Sequence, residues 1–109
     1  TVVHCPDSNL NLCSGTAPVR TMLTGGVRVA LGSDIAGGDH LDMFDVTAAA
    51  IRASKIRRMT DPAVPAPLTV AEAWYLATSA GAGNSRASPP ATPCTPWSSP
   101  TAHCLMESP

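Results

Sequence analysis

The chain has 109 residues, with seven Lys or Arg against eight Asp or Glu and three histidines. This near-neutral balance gives no electrostatic footprint for nucleic acid or an anionic membrane as partner. No run of about 18 apolar residues reads as a membrane span, and no basic-then-apolar segment reads as a signal peptide.

The length suits at most one small domain, for which about 100–150 residues is usual. Two counts fit such a domain poorly. Aromatic residues are only 4% of the chain, so the large side chains that anchor a compact core are scarce. Of the 11 prolines, Pro89, Pro90, Pro93, Pro96, Pro100 and Pro109 crowd the last stretch. The chain also opens at Thr1, just before an apolar pair and without an initiator Met, which reads as a piece of something larger. Cys5, Cys13, Cys94 and Cys104 have no two-residue metal-knuckle spacing, and they are expected to be reduced thiols of a cytoplasmic protein.

In chain order, Val2-Val3 before His4-Cys5-Pro6 reads as the end of a buried strand stopped by proline. Residues 7–16, rich in Asn, Ser and Gly, are predicted to be turns. Ala17 to Thr24 is predicted to be a short helix, with Pro18 near its start and Gly25-Gly26 ending it. Val27 to Leu31 is a second short strand, followed by the glycine-bearing loop GSDIAGGDH from Gly32 to His40. A helix from Asp42 to about Met59 carries acid at its start and Arg52, Lys55, Arg57 and Arg58 in its second half, matching the helix dipole. Phe44, Ala48 and Ile51 are its expected buried stripe. Residues 60–67 form a proline-broken linker, and Thr69 with Glu72 has capping-box spacing for a third helix to about Ser79. Trp74 and Tyr75 are expected to pack that helix on its sheet.

Strand and helix alternating in this way describe an α/β fold with parallel strands. Two strands do not make a parallel sheet covered on both faces, so further strands are expected before residue 1.

Asp34 leads the candidates for chemistry, because it lies just past the end of a parallel strand, where α/β folds and β/α barrels place their sites. The nearby glycines would let backbone approach a ligand. The plain alternative, an aspartate that closes a turn or caps the next helix, stays open. His4 also follows a strand, on the same face as Asp34, where a histidine is commonly a packing residue. His40 reads as a loop residue near the site, Asp39 and Asp42 as turn and helix-start residues, and the arginine group as a solvated helix end.

The segment VVHCPDSNLNLCSGTAPVRTMLTGGVRVALGSDIAGGDHLDMFDV resembles the region near the end of the barrel in guanine deaminases of the amidohydrolase superfamily. The resemblance rests on the His-Cys-Pro-x-Ser-Asn block at His4 to Asn9, Ser14-Gly15 with Ala17-Pro18-Val19, and Leu31-Gly32-Ser33-Asp34. It continues through residues 36–38, 41–44, 54–55 and 68–78, covering about residues 1–82. The guanine branch is suggested by Asp-Ile-Ala-Gly-Gly after the strand, where adenosyl- and thioadenosine deaminases usually have a Ser-Asn-Asn-like continuation. Ser33 stands where the family usually has Thr before the aspartate and keeps the hydroxyl.

The resemblance implies the last third of a TIM-like (β/α)8 barrel, in a cytoplasmic, homodimeric parent that deaminates guanine to xanthine. It implies that Asp34 is the carboxylate ligand of a catalytic Zn²⁺ and a carrier of the attacking water's proton. His4, Asn9 and Ser33 would then belong to the substrate pocket or to the groups behind the ligand. The family's other ligands, a His-x-His pair and further strand-end histidines, have no counterpart here, so this chain alone is expected to be inactive. Rival expectations are an amidohydrolase acting on an adenosine-type or triazine heterocycle, and a non-catalytic interaction fragment with exposed apolar faces.

Beyond Ala82 the resemblance stops and Pro, Ser and Thr dominate, the composition of a disordered tail. Shifted by one base, and with serine and arginine in their four-codon families, the codons from about Asn84 onward are compatible with G-[VF]-x-P-G-Y-A-L-H-A-L-V-V-x-D, with Val forced at Ser98. That string resembles the segment following the third helix in this family. Residues 83–109 are therefore expected to be an out-of-frame or mis-spliced tail without native structure.

Overall fold

A computed structural model describes residues 1–82; the expectations for the tail fall on residues outside that range. The described residues form β1 (Val2–His4), α1 (Pro6–Asn11), α2 (Val19–Thr24), β2 (Val29–Leu31), α3 (Met43–Thr60) and α4 (Val70–Ala77). The two strands pair in parallel, Val2 with Val29, Val3 with Ala30 and His4 with Leu31. This register brings both strand ends, and the segments that follow them, to one edge of the sheet.

Residues 6–11 are helical where turns were predicted. Pro6 sits in the first turn, where its missing N–H costs nothing, and Asp7 favours the positive helix start. Ser and Asn weaken helices by bonding their own backbone. Here Ser8 and Asn11 instead bond the segment after β2, so that local competition is removed. The second helix starts at Val19, with Pro18 as its cap residue, two positions later than predicted. β2 starts at Val29, because the Val27 N–H turns back to the Met22 carbonyl at 2.9 Å.

The long helix follows the prediction closely at both ends. Asp42 caps α3 by accepting from the Phe44 N–H at 2.8 Å, Asp45 lies in its first turn, and Arg57 and Arg58 lie in its last. Its buried stripe differs from the expected one. Val46, Ala49, Ala50 and Ala53 face the interior, while Phe44 is 67% exposed and packs on Trp74 with ring centroids 5.2 Å apart. The stripe is set by small residues because α3 lies close against its neighbours, and a Phe-centred stripe would hold it away. Trp74 is accordingly on the outside of α4, while Ala73 and Leu76 are buried and Tyr75 packs at the core's edge.

The Thr69–Glu72 capping box is formed: the Thr69 hydroxyl accepts from the Glu72 N–H, and the Glu72 carboxylate accepts from the Thr69 N–H at 2.8 Å. The core is one cluster of Val19, Val29, Leu31, Val46, Ala50, Leu68 and Leu76, lying between β2 and the three helices α2, α3 and α4. Each fully buried Val or Leu there is worth about 1.5–3 kcal/mol of transfer free energy. Arg20 ties the helices together, donating from both terminal nitrogens to Glu72 at 2.7 and 2.8 Å, from Nε to the Ala66 carbonyl and from one terminal nitrogen to the Pro67 carbonyl. Every residue of β2 is buried, whereas Val2 and Val3 of β1 are 41% and 60% exposed.

Candidate active site

The strand-end edge holds a compact set of polar groups, built from α1 after β1 and the loop after β2. Asp34 is three residues past the end of β2 and exposed, with φ +46°. That left-handed conformation is uncommon outside glycine, and Asp tolerates it better than most residues. The Asp34 carbonyl accepts from the Gly37 N–H at 3.0 Å and the Gly38 N–H at 2.8 Å. The main chain of Asp34 therefore closes a turn, as the plain alternative held. Its side chain does something further: Oδ2 accepts the Ser8 hydroxyl at 2.6 Å. Capping of the next helix falls to Asp42.

Three more contacts hold α1 against the same loop. Asn11 donates from Nδ2 to the Gly37 carbonyl at 3.2 Å and to Asp39 at 2.9 Å, and His40 Nδ1 lies 3.1 Å from the Asp7 carboxylate. Asp7, Ser8 and Asn11 are one helical turn of α1, so a single face of a short helix makes all four contacts. The hydrogen bond to the Asp7 carboxylate raises the His40 pKa above its ordinary 6.5, with the charges of Asp45, Asp7 and Asp39 adding to the effect.

The glycines of the loop have a packing reason. A Cβ on Gly37 would stand 2.8 Å from both Asp34 Oδ2 and Ser8 Oγ. One on Gly38 would stand 2.5 Å from the Ser33 carbonyl and 3.3 Å from the Asp7 side chain. The close approach that the glycines permit is thus of the chain to itself, at the point where the two strand-end segments meet.

His4, at the end of β1 and level with Leu31, is 4% exposed. Its Nδ1 is buried without a hydrogen-bond partner among the described residues, and burial pushes its pKa down, favouring the neutral ring. Cys5 is half-buried, and burial together with the Asp34 charge raises its thiol pKa, so it is not an activated nucleophile. Of the other predicted residues, Ser33 is half-buried, with its carbonyl against Gly38. Asn9 is half-buried and contributes its backbone, donating to the Cys5 carbonyl and accepting from Ser14. Neither side chain joins the Ser8–Asp34 contact. Ser8 itself stood in the His-Cys-Pro-x-Ser-Asn block without being singled out. Its signal was a small hydroxyl residue two positions past a strand-ending proline.

Asp34 suits the part of a carboxylate metal ligand, being exposed at a strand end with only Oδ2 engaged by Ser8. Among the described residues no group of three or more His, Cys, Asp or Glu could hold a metal ion. The described residues by themselves do not make a metal site.

The Amidohydrolase family profile matches residues 1–83, about three-quarters of the chain. The chain belongs to the amidohydrolase family. Its relatives in that family include two kinds of deaminase. The 5-methylthioadenosine/S-adenosylhomocysteine deaminase of Haloquadratum walsbyi is 46% identical over 82 residues, spanning 74% of this chain and 18% of that protein. The guanine deaminase of Dictyostelium discoideum is 40% identical over 80 residues, spanning 73% of this chain and 18% of that protein. Among solved structures, a guanine deaminase from C. acetobutylicum with guanine bound in its active site is similar. It shares 46% identity at a TM-score of 0.70, over 73% of this chain and 19% of that one. The chain thus spans under a fifth of the length of the amidohydrolases it matches. Both kinds of deaminase lie at comparable identity, so the Asp-Ile-Ala-Gly-Gly loop does not settle the substrate of this family member.

Proposed function

We propose that residues 1–82 are the closing part of the barrel of a zinc-dependent deaminase that converts guanine to xanthine and ammonia. The observation that carries this reading is Asp34: an exposed carboxylate just beyond a buried parallel strand, in an amidohydrolase chain. Asp34 is the residue that would hold the ion, and bound zinc would supply a water acidified toward a pKa of about 7. A carboxylate beside such a water accepts a proton and returns it to the leaving amine. His4, buried at the end of β1 with the neutral ring favoured, would be a substrate-side or supporting group of the same pocket and not a ligand of the ion. The remaining ligands come from parts of the complete protein outside these residues, and the parent is a homodimer.

Guanine as substrate is supported by the similarity to a structure with guanine bound. The second reading, a thioadenosine or adenosylhomocysteine substrate, is favoured by the equally similar archaeal deaminase. Assays of the complete zinc-loaded protein with guanine and with 5′-methylthioadenosine separate them: xanthine formation supports the first, and methylthioinosine formation without xanthine replaces it with the second. Residues 1–109 incubated alone with zinc and guanine are expected to form no xanthine. Turnover by that chain overturns the view that it carries only part of the site.

A further inference from the structure

The Ser8–Asp34 contact is the tie in the molecule that the activity above does not account for. Ser8 is 4% exposed, and burying a hydroxyl costs free energy unless it finds a partner. Its partner is a single oxygen of Asp34, at 2.6 Å, which is the short range of a hydrogen bond to a charged acceptor. The two residues stand 26 positions apart and come from different strand-end segments. Gly37 lies against the same two oxygens, with no room for a Cβ on that side.

Asp34 needs this help. It is exposed, it follows a short strand, and its backbone is in the left-handed region, so packing alone leaves its carboxylate free to turn. We propose that Ser8 is the positioning residue of Asp34: its buried hydroxyl pins Oδ2, so that Oδ1 is the oxygen offered to a metal ion or a proton. Outer partners of this kind commonly change metal affinity or activity by about 10–100-fold when removed. The proposal rests on the reading of Asp34 as the reactive carboxylate. It assigns Gly37 to the carboxylate's support.

The test is the side-chain order of Asp34, read by NMR three-bond couplings in the isotopically labelled full chain. Wild type is expected to show one χ1 rotamer, Ser8→Ala a mixture, and Ser8→Thr, which keeps the hydroxyl, a return to one. A single rotamer in Ser8→Ala, or a mixture in wild type, overturns the proposal, whatever the urea midpoint does. Should Ser8→Ala fail to fold, the wild-type Asp34 carboxyl carbon decides in an equal mixture of light and heavy water. A resonance split by the Ser8 hydroxyl isotope supports the tie, and an unsplit one overturns it. Failure of the functional reading looks different. Asp34 then stays fixed by Ser8 while the complete protein deaminates neither purine.

Discussion

Gly37 makes a sharp case for how one atom decides a site. Adding a methyl group there places a carbon 2.8 Å from two oxygens that hydrogen-bond each other, and the Ser8–Asp34 contact has to open. Gly37→Ala is expected to cost about 1–3 kcal/mol, the usual range for forced overpacking. Urea denaturation of the full chain measures it, and a cost below about 0.5 kcal/mol shows that the loop yields easily. His4 gives a second residue-scale prediction. Its folded pKa is depressed by burial, so the unfolded chain takes up the proton first. Stability is whole above the ordinary value of 6.5 and is lost as pH falls from there through the lowered folded value. The urea midpoint should therefore drop on acidification, and His4→Gln should flatten that drop. His40 acts in the opposite sense, because its raised pKa adds stability below 6.5 that is lost as pH rises through the folded value. Comparing His4→Gln with His40→Gln separates the two. Residue roles were legible unevenly in the sequence. Asp34 stood out by its place just past a strand end, although a turn-closing role was equally legible there, whereas its side-chain partner Ser8 lies 26 residues away and has no periodic signature.

The elements that read correctly from sequence are those with end signals carried by adjacent residues. Asp42 and the Thr69–Glu72 box start α3 and α4 through bonds spanning two or three positions, so spacing alone reveals them. Thr69→Ala removes the acceptor for the Glu72 N–H and is expected to cost about 0.5–2 kcal/mol, measurable as a lower thermal midpoint, with Thr69→Ser close to wild type. Glu72 also joins that cap to Arg20. Burial by itself would raise its pKa, but the Arg20 hydrogen bond, the Thr69 backbone and hydroxyl bonds and the Arg20 charge together hold it below the ordinary 4.5. Its stabilising effect is present above 4.5 and is lost as pH falls through the lowered value. Glu72→Gln should accordingly be less stable at neutral pH and lose less on further acidification. The elements that misread are instructive for the same reason. α1 looked like a turn because Ser and Asn favour turns when their side chains are unclaimed, and the claim on them is tertiary. The α3 stripe was misplaced because Phe44 is large and at helical spacing, while the helix's close approach selects Val46 and the alanines beside it.

At the scale of the whole molecule, the described residues hold a two-stranded parallel sheet with helices around β2 and an exposed β1. Parallel strands are ordinarily buried on both faces, which is why the sequence was read as calling for more strands than the two described. What the sequence left undecided is which purine such a barrel would accept. The strand-end loop that suggested guanine is shaped by contacts with Ser8 and Asp7. The proposed role of Asp34 is the carboxylate of a hydrolytic deaminase. The most direct test is xanthine formation from guanine by the complete zinc-loaded protein, compared with its Asp34→Asn variant at equal folded concentration. Turnover is expected in the first and a fall to background in the second. Turnover that survives Asp34→Asn undiminished contradicts that role.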